Sequence, residues 1–136
     1  MKTSTRRPKV EEIKIKGSFV SWFEIPALNF ERAVNFYNSI YQINMETNSM
    51  NGYSMAFFPG DNEVGGAIIS GEGSSPSDKG LLIYLNGGDN LDLVLNRIET
   101  AGGRVLMSKQ KINDNAGYFA LFIDSEGNKM ALHSKN

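Results

Sequence analysis

The sequence predicts an α+β protein built from two tandem βαβββ modules, which form curved mixed sheets with one helix per module on the outer face. Several stretches alternate apolar and polar residues, as half-buried strands do, and two others repeat apolar residues with helical spacing. The second half of the chain repeats the order of these elements, which is typical of an internal duplication. At 136 residues without cysteine, the chain is long enough for one domain with a sizeable core and no disulfides.

The first module opens with a predicted strand over residues 19–25. One side of it carries Phe19, Ser21, Phe23 and Ile25, and the other carries Val20, Trp22 and Glu24. Pro26 ends this strand, Asn29 is a credible N-cap, and an apolar stripe over 30–41 predicts an amphipathic helix.

The rest of the first module is predicted to be three strands. Residues 43–48 and 53–58 flank an Asn51–Gly52 turn signal, which indicates a hairpin. After a turn at 59–62, a strand follows over 64–70. Its Gly65–Gly66 pair predicts either a β-bulge or the close approach of another group to the backbone.

The second module follows a polar connector at 71–79. A strand is predicted at 81–86, then a helix capped by Asn90 with an apolar stripe over 91–101, and then a long loop at 109–116. The apolar positions of the two helices match at an offset of 61 residues. We therefore expect a basic, partly flexible lead at 1–16 and a single domain at 17–136, with modules at about 19–70 and 80–134.

One face of the predicted sheets forms an apolar groove with a few polar groups, the usual composition of a small-molecule pocket. In the last strand, Met130 and Leu132 belong on the helix side, which turns Lys129, Ala131 and His133 to the opposite face. The repeat correspondence adds Leu81, Ile83, Leu85, Ala67 and Ile69 to that face. The predicted ligand-binding residues are Trp22, Glu24, Ile69, Ile83, Lys129 and His133.

Structural roles compete with these assignments. A tryptophan often serves packing alone, and a single histidine is often only hydrogen bonded. Glu24 needs a partner or an opening to solvent, and Lys129 and Arg104 are candidate partners. The run Asp124–Asn128 is interpreted as a hairpin turn with a glycine at positive φ, not as a chemical cluster.

The charge balance narrows the choice of partners. With 14 basic and 15 acidic residues the net charge is −1, so no nucleic-acid partner is expected. No apolar run has the length of a membrane span or a signal peptide, so we expect a cytoplasmic protein without a membrane partner.

Four segments together resemble the vicinal oxygen chelate superfamily, which includes glyoxalase I, bleomycin-resistance proteins and extradiol dioxygenases. They are Trp-Phe-Glu-Ile-Pro at 22–26, Glu-Arg-Ala-Val-Asn-Phe-Tyr at 31–37, Ala-Gly-Gly-Arg-Val-Leu at 101–106 and Phe-Ile-Asp-Ser-Glu-Gly-Asn-Lys-Met-Ala-Leu-His-Ser at 122–134. The resemblance spans residues 19–134. It implies the duplicated βαβββ fold and, in the enzymes, a divalent metal held by His and Glu side chains of both modules.

The positions that the resemblance assigns to metal ligands carry other residues here. They are Ser21 or Trp22 in the first strand, Ala67 in the fourth, Leu81 to Ile83 in the first strand of the second module, and Ala131 in the last. Divalent metals need several converging His or carboxylate donors, so no metal and no cofactor are predicted.

The favoured function is that of a glyoxalase/bleomycin-resistance-like protein that binds a small apolar or amphipathic molecule as a homodimer, without the metal site. This interpretation leans against an enzyme. The alternative is a glyoxalase-type lyase or isomerase with a rearranged site, in which Glu24 and His133 act as acid and base or as residual metal ligands. A second alternative is a protein-interaction module.

Overall fold

The computed structural model describes residues 11–60 and 64–136. Residues 1–10 of the predicted basic lead and 61–62 of the predicted turn lie outside the described residues. The elements in chain order are β1 (Trp22–Pro26), α1 (Phe30–Tyr41), β2 (Glu46–Met50), β3 (Tyr53–Phe57), β4 (Gly65–Ser70), β5 (Tyr84–Asn86), α2 (Asp92–Leu95), β6 (Arg104–Asn113), β7 (Gly117–Ile123) and β8 (Lys129–Ser134).

These elements form two four-stranded mixed sheets with the strand orders β1-β4-β3-β2 and β5-β8-β7-β6. In each sheet the first strand pairs in parallel with the fourth, and the remaining pairs are antiparallel. The predicted α+β class and the two βαβββ modules are confirmed. In the described part of the chain, no helix is both long and apolar enough to cross a membrane.

One apolar core joins the two modules. Ile25 and Ile68 from the first sheet and Leu132 from the second belong to the same buried cluster as the inner face of α1. The rings of Phe36 on α1 and Phe122 on β7 lie 6.2 Å apart between centroids. Because Phe36 and Phe122 come from different modules, the burial of this contact helps to hold the modules together.

The first helix begins as predicted. The Asn29 side chain accepts a hydrogen bond from the Arg32 backbone N–H at 3.0 Å, which satisfies one of the free donors of the first turn. The strand before it is shorter than predicted, because β1 begins at Trp22 and Phe19 is 89% exposed. In the described structure β4 starts opposite Trp22, so residues 19–21 have no strand to pair with.

The second helix is also shorter than predicted. Only Asp92–Leu95 is regular α-helix, because the backbone N–H groups of Arg97 and Ile98 bond three residues back rather than four. The side chain of Asn90 does accept from the Asp92 backbone N–H at 3.0 Å, but the formal cap position is Leu91. The predicted apolar stripe is nevertheless buried, since Leu91 and Ile98 are both inaccessible.

The predicted loop at 109–116 is mostly strand. Strand β6 continues to Asn113, and three register irregularities against β7 absorb the extra residues of the second module. At Gly65–Gly66, close approach is correct: a Cβ on Gly66 would overlap the Phe23 ring, and one on Gly65 would lie 3.0 Å from the Trp22 ring.

The offset of 61 residues holds for the helices but not for the strands before them. Glu24 pairs with Ala67, and Tyr84 pairs with Ala131, so β1 and β5 match at an offset of 60. Three residues separate β5 from Asn90, whereas two separate β1 from Asn29. A slip of one residue moves every side chain of a strand to the other face.

The predicted orientation of β5 was therefore wrong. Leu85 is buried in the core and Ile83 packs against it, whereas Tyr84 and Asn86 face away from it. Leu81 lies before the strand and is almost fully exposed.

Candidate functional site

Each sheet has one face against the core and one face away from it, and we call the latter the first and second open faces. The first open face consists of the residues that share the register of Glu24: Trp22, Glu24, Pro26, Glu46, Asn48, Met50, Tyr53, Met55, Phe57, Gly65, Ala67 and Ile69. The second consists of the residues that share the register of Ala131: Tyr84, Asn86, Arg104, Met107, Gln110, Phe119, Leu121, Ile123, Lys129, Ala131 and His133.

A cavity of about 350 Å³ lies on the first open face. Most of its wall is apolar, and Glu24 is the one charged side chain among the described residues that line it. Its lining residues are Glu24, Asn48, Met50, Asn51, Tyr53, Met55 and Ile69. An apolar wall with a few fixed polar groups suits a small organic molecule.

The Glu24 carboxylate is exposed and is oriented by its neighbour. The indole Nε1–H of Trp22 donates a hydrogen bond to Glu24 Oε2 at 3.3 Å, and the Trp22 ring lies 6.3 Å from that of Phe57. Neither predicted partner is correct: within the described residues, Lys129 and Arg104 form no ion pair with Glu24. Its charge is stabilised by solvent, the other option that the sequence left open.

The second open face places His133 in a different setting. Its Nε2 atom lies 2.6 Å from the carbonyl oxygen of Ala116, so the ring joins β8 to the turn before β7. His133 lines a separate cavity of about 520 Å³ with Tyr84, Asn86 and Asp89. Glu24 and His133 thus lie on different sheets and line different cavities of the chain.

Five of the six predicted ligand-binding residues lie on open faces. Trp22, Glu24 and Ile69 share the first, and Lys129 and His133 share the second. Ile83 lies on neither, because its strand has the shifted register.

Sequence reasoning missed the part of the cavity wall that β2 and β3 contribute. Asn48, Met50, Tyr53 and Met55 line the cavity, and the alternation of large and small residues in β3 was the available signal. Tyr84 of the second open face was missed for the same register error that misplaced Ile83.

The turn Asp124–Asn128 is a hairpin turn, as predicted, with Gly127 at φ +97°. It is also a buried polar junction between the modules. The Tyr37 hydroxyl donates to Asp124 Oδ2 at 2.8 Å, and the side-chain amide of Asn128 donates to the Pro26 carbonyl oxygen at 2.7 Å. Burial, followed by the nearby charge of Asp124, raises the pKa of Tyr37 well above its ordinary value, so Tyr37 remains a neutral donor.

Glu126 completes this junction. Its carboxylate accepts from the Asn29 backbone N–H at 2.7 Å and from two guanidinium nitrogens of Arg32 at 2.7 and 3.1 Å. Burial disfavours the charged form, but the hydrogen bonds from Arg32, Asn29 and Ser125 outweigh it and hold the pKa of Glu126 below its ordinary value. These buried polar groups are satisfied by one another, which gives them a structural role.

The positions that the resemblance assigns to metal ligands do not fit a divalent cation. Of the two candidates in the first strand, Ser21 lies before β1, and the Trp22 indole can donate an N–H but has no lone pair for a metal. Ala67 and Ala131 have no side-chain atom that can bind a metal, and both are fully buried. With the corrected register, the matching residue of the second module is Leu82. Among residues 11–60 and 64–136, no three His, Asp or Glu side chains are grouped so as to hold a metal.

Comparison with known proteins gives matches at the level of structure. A glyoxalase/bleomycin resistance protein from Albidiferax ferrireducens superposes with a TM-score of 0.66 at 13% identity, over 88% of this chain and 100% of that one. The chain has the fold of the glyoxalase/bleomycin-resistance proteins. No family model and no curated protein matches the sequence.

Two other solved structures with this fold are named for different functions, one as an enzyme and one as a binding protein. Glyoxalase I from Zea mays matches with a TM-score of 0.63 at 14% identity, over 85% of this chain and 44% of that chain, so this chain spans less than half of it. An antibiotic binding protein from a Streptomyces species matches with a TM-score of 0.62 at 21% identity, over 90% and 100%. The fold therefore occurs both in an enzyme and in a binding protein.

Proposed function

We propose that this protein binds a small apolar or amphipathic molecule on the first open face, without a metal and without catalysis. The observation that carries the proposal is the cavity of about 350 Å³, with its apolar wall and the solvated Glu24. The antibiotic binding protein with the same fold supports the same class of function. An open cavity beside Glu24 also favours a binding protein over a protein-interaction module whose groove is filled by its own side chains.

The alternative function, a metal-dependent lyase or isomerase, requires catalytic groups that a single chain does not bring together. General acid–base catalysis requires that Glu24 and His133 reach the same substrate atoms, and these residues line separate cavities. The positions of the implied metal ligands carry serine or tryptophan in the first strand and alanine, leucine or isoleucine in the others, so they supply no set of His or carboxylate ligands.

Binding of Nile red, a neutral apolar dye, tests the proposal. The substitution Met55→Gln places a polar amide in the cavity wall and should weaken dye binding, because the apolar contact is replaced by a group that must be desolvated. Met107→Gln on the second open face is the matched control and should bind the dye as the wild type does. Equal loss in both variants, or binding that disappears after treatment with a metal chelator, would contradict the proposal.

We also propose that the protein is a homodimer. Both open faces expose large apolar side chains, with Met50 60%, Tyr84 52% and Trp22 45% exposed, and patches of this kind commonly mark interfaces. The outer strands β2 and β6 end their sheets without a neighbour in the described chain. Light scattering at micromolar concentration should give twice the 15.0 kDa of one chain, and a value near 15.0 kDa would refute the dimer.

A further inference from the structure

We infer that the molecule bound on the first open face carries a positive charge on an apolar or aromatic body. This inference rests on the proposed function, since it concerns the same cavity, and it adds the chemical class of the ligand. It follows from the distribution of charge over the sheet, from the state of Glu24 and from the aromatic rings beside it.

The first sheet has charges of one sign only. Strands β1 to β4 contain two acidic residues, Glu24 and Glu46, and no lysine or arginine. Both acidic residues lie on the first open face, because Glu24 pairs with Ala67, Ala67 with Phe57, and Phe57 with Glu46. Of the described residues that line the cavity, Glu24 alone is charged, so a ligand that enters it meets a negative potential from this wall.

Glu24 is available to a ligand. In the part of the chain that the structure describes, its carboxylate accepts one hydrogen bond, from the Trp22 indole, and forms no ion pair. Glu126 shows the contrast, since its carboxylate is occupied by Arg32, Asn29 and Ser125. A ligand cation beside Glu24 would supply the missing partner, whereas an anion there would meet uncompensated repulsion.

Aromatic rings lie near this carboxylate. Trp22 and Phe57 are neighbours on the first open face with centroids 6.3 Å apart, and Tyr53 lines the cavity itself. The electron-rich face of an aromatic ring attracts a cation, and tryptophan does so most strongly. Within the cavity wall, the Glu24 carboxylate and the Tyr53 ring favour the same ligand charge, while Met55 and Ile69 favour a hydrocarbon body.

The test uses three probes that share one tricyclic body and differ in charge: 9-aminoacridine, which is cationic, acridine, which is neutral at pH 8, and acridine-9-carboxylate, which is anionic. Trp22 is the only tryptophan of the chain, so quenching of its fluorescence reports binding at this face. In the wild type, 9-aminoacridine should bind about fivefold to tenfold more tightly than acridine, and the carboxylate should bind most weakly.

Two substitutions test whether Glu24 causes the preference for the cationic probe. Glu24→Gln should bring the affinities for 9-aminoacridine and acridine to within about twofold of each other. Glu31→Gln, an exposed carboxylate on the first turn of α1, is the matched control and should keep the wild-type ratio. A preference that survives in Glu24→Gln would overturn the inference.

The two proposals fail in distinguishable ways. Equal affinity of the wild type for 9-aminoacridine and acridine would overturn the charge inference and leave the binding function standing, as expected if basic residues of a second copy neutralise Glu24. Binding of none of the three probes, together with no binding of Nile red, would overturn both.

Discussion

The two open faces have the same arrangement of strands, but their side chains differ in charge. Strands β1 to β4 carry two acidic residues and no basic one, whereas β5 to β8 carry four basic residues and no acidic one. Two of these basic residues, Arg104 and Lys129, lie on the second open face. The other two, Lys109 and Lys111, lie outside it, and Lys109 contacts Asn90 and Asp92 beside α2. The net charge of −1 conceals this separation, so a whole-chain charge says little about what either face attracts.

The two faces also differ in how their polar groups are used. Glu24 on the first open face is solvated, while His133 on the second is bonded to the Ala116 carbonyl oxygen. Glu126, at the junction between the modules, is held by Arg32 and the start of α1. The two modules therefore share the order and the pairing directions of their strands, while the polar side chains of their open faces make different contacts.

The largest expected effect comes from placing glutamate at the two equivalent alanines. Ala67 and Ala131 are fully inaccessible, so Ala67→Glu and Ala131→Glu each bury a charge and should lower the free energy of unfolding by about 2–4 kcal/mol. Ala67→Glu should cost about 1 kcal/mol more, because its register partner is Glu24, whereas that of Ala131 is Tyr84. Urea unfolding measures both.

Glutamine at the same two positions is the matched control, since it adds the same volume without the charge. Equal losses of unfolding free energy in the two glutamate variants would show that the difference in charge between the two open faces has no effect at these positions.

The sequence predicted the fold because its strongest signals are local or repeated. The apolar stripe of α1, its Asn29 cap and the strand of Met130 and Leu132 depend on near neighbours or on periodicity, and the structure confirms them. The error at Ile83 arose from one additional residue before Asn90, which no periodicity reveals, because the helix beyond it returns to the same pattern.

The site was less predictable for a physical reason. Tyr53 and Met55 line the cavity because β3 lies between β2 and β4, and strand order depends on pairing between residues distant in sequence. The junction at Asp124–Asn128 was identified as a turn from its own residues. Its bonds to Tyr37 and Arg32 span 87 and 94 positions and left no local signal.

The next largest effect is expected at Glu126, whose carboxylate accepts several hydrogen bonds, in contrast to the exposed carboxylate of Glu24. Glu126→Gln should lower the free energy of unfolding by about 1–3 kcal/mol, because a charged acceptor of several bonds is replaced by an amide. Glu24→Gln, which removes an exposed carboxylate without an ion pair, should change it by less than about 0.5 kcal/mol. Similar losses for the two would contradict the distinction.

The pH dependence of the Glu126 contribution has a defined sign. Its folded-state pKa lies below the ordinary value of 4.5, so the stabilisation is fully present above that value and is lost as the pH falls through the folded-state pKa. The difference between the wild type and Glu126→Gln should therefore be constant near pH 7 and shrink below about pH 4.5. Urea midpoints measured from pH 7 to pH 3 test this, and a difference that grows in acid would refute it.

A smaller effect is expected at His133. His133→Phe keeps a ring of similar size but loses the bond to the Ala116 carbonyl oxygen, and it should cost about 1 kcal/mol of unfolding free energy. His133→Gln keeps a donor and should recover part of the loss. Binding of Nile red to the first open face should be unaffected by either variant. A stability equal to the wild type in His133→Phe would remove the structural role assigned to this residue.

The smallest expected effect is in the quenching of Trp22 fluorescence by ions. It reports the charge of the first open face and involves no change in stability. Trp22 is 45% exposed beside Glu24, so its fluorescence is accessible to ionic quenchers. Caesium, a cation, should accumulate near this face and quench more effectively, relative to iodide, than it quenches free tryptophan amide in the same buffer. The advantage of caesium should decrease in Glu24→Gln and as the salt concentration rises, because screening shortens the range of the potential. Equal relative quenching by both ions would mean that the negative potential assigned to Glu24 and Glu46 does not reach Trp22.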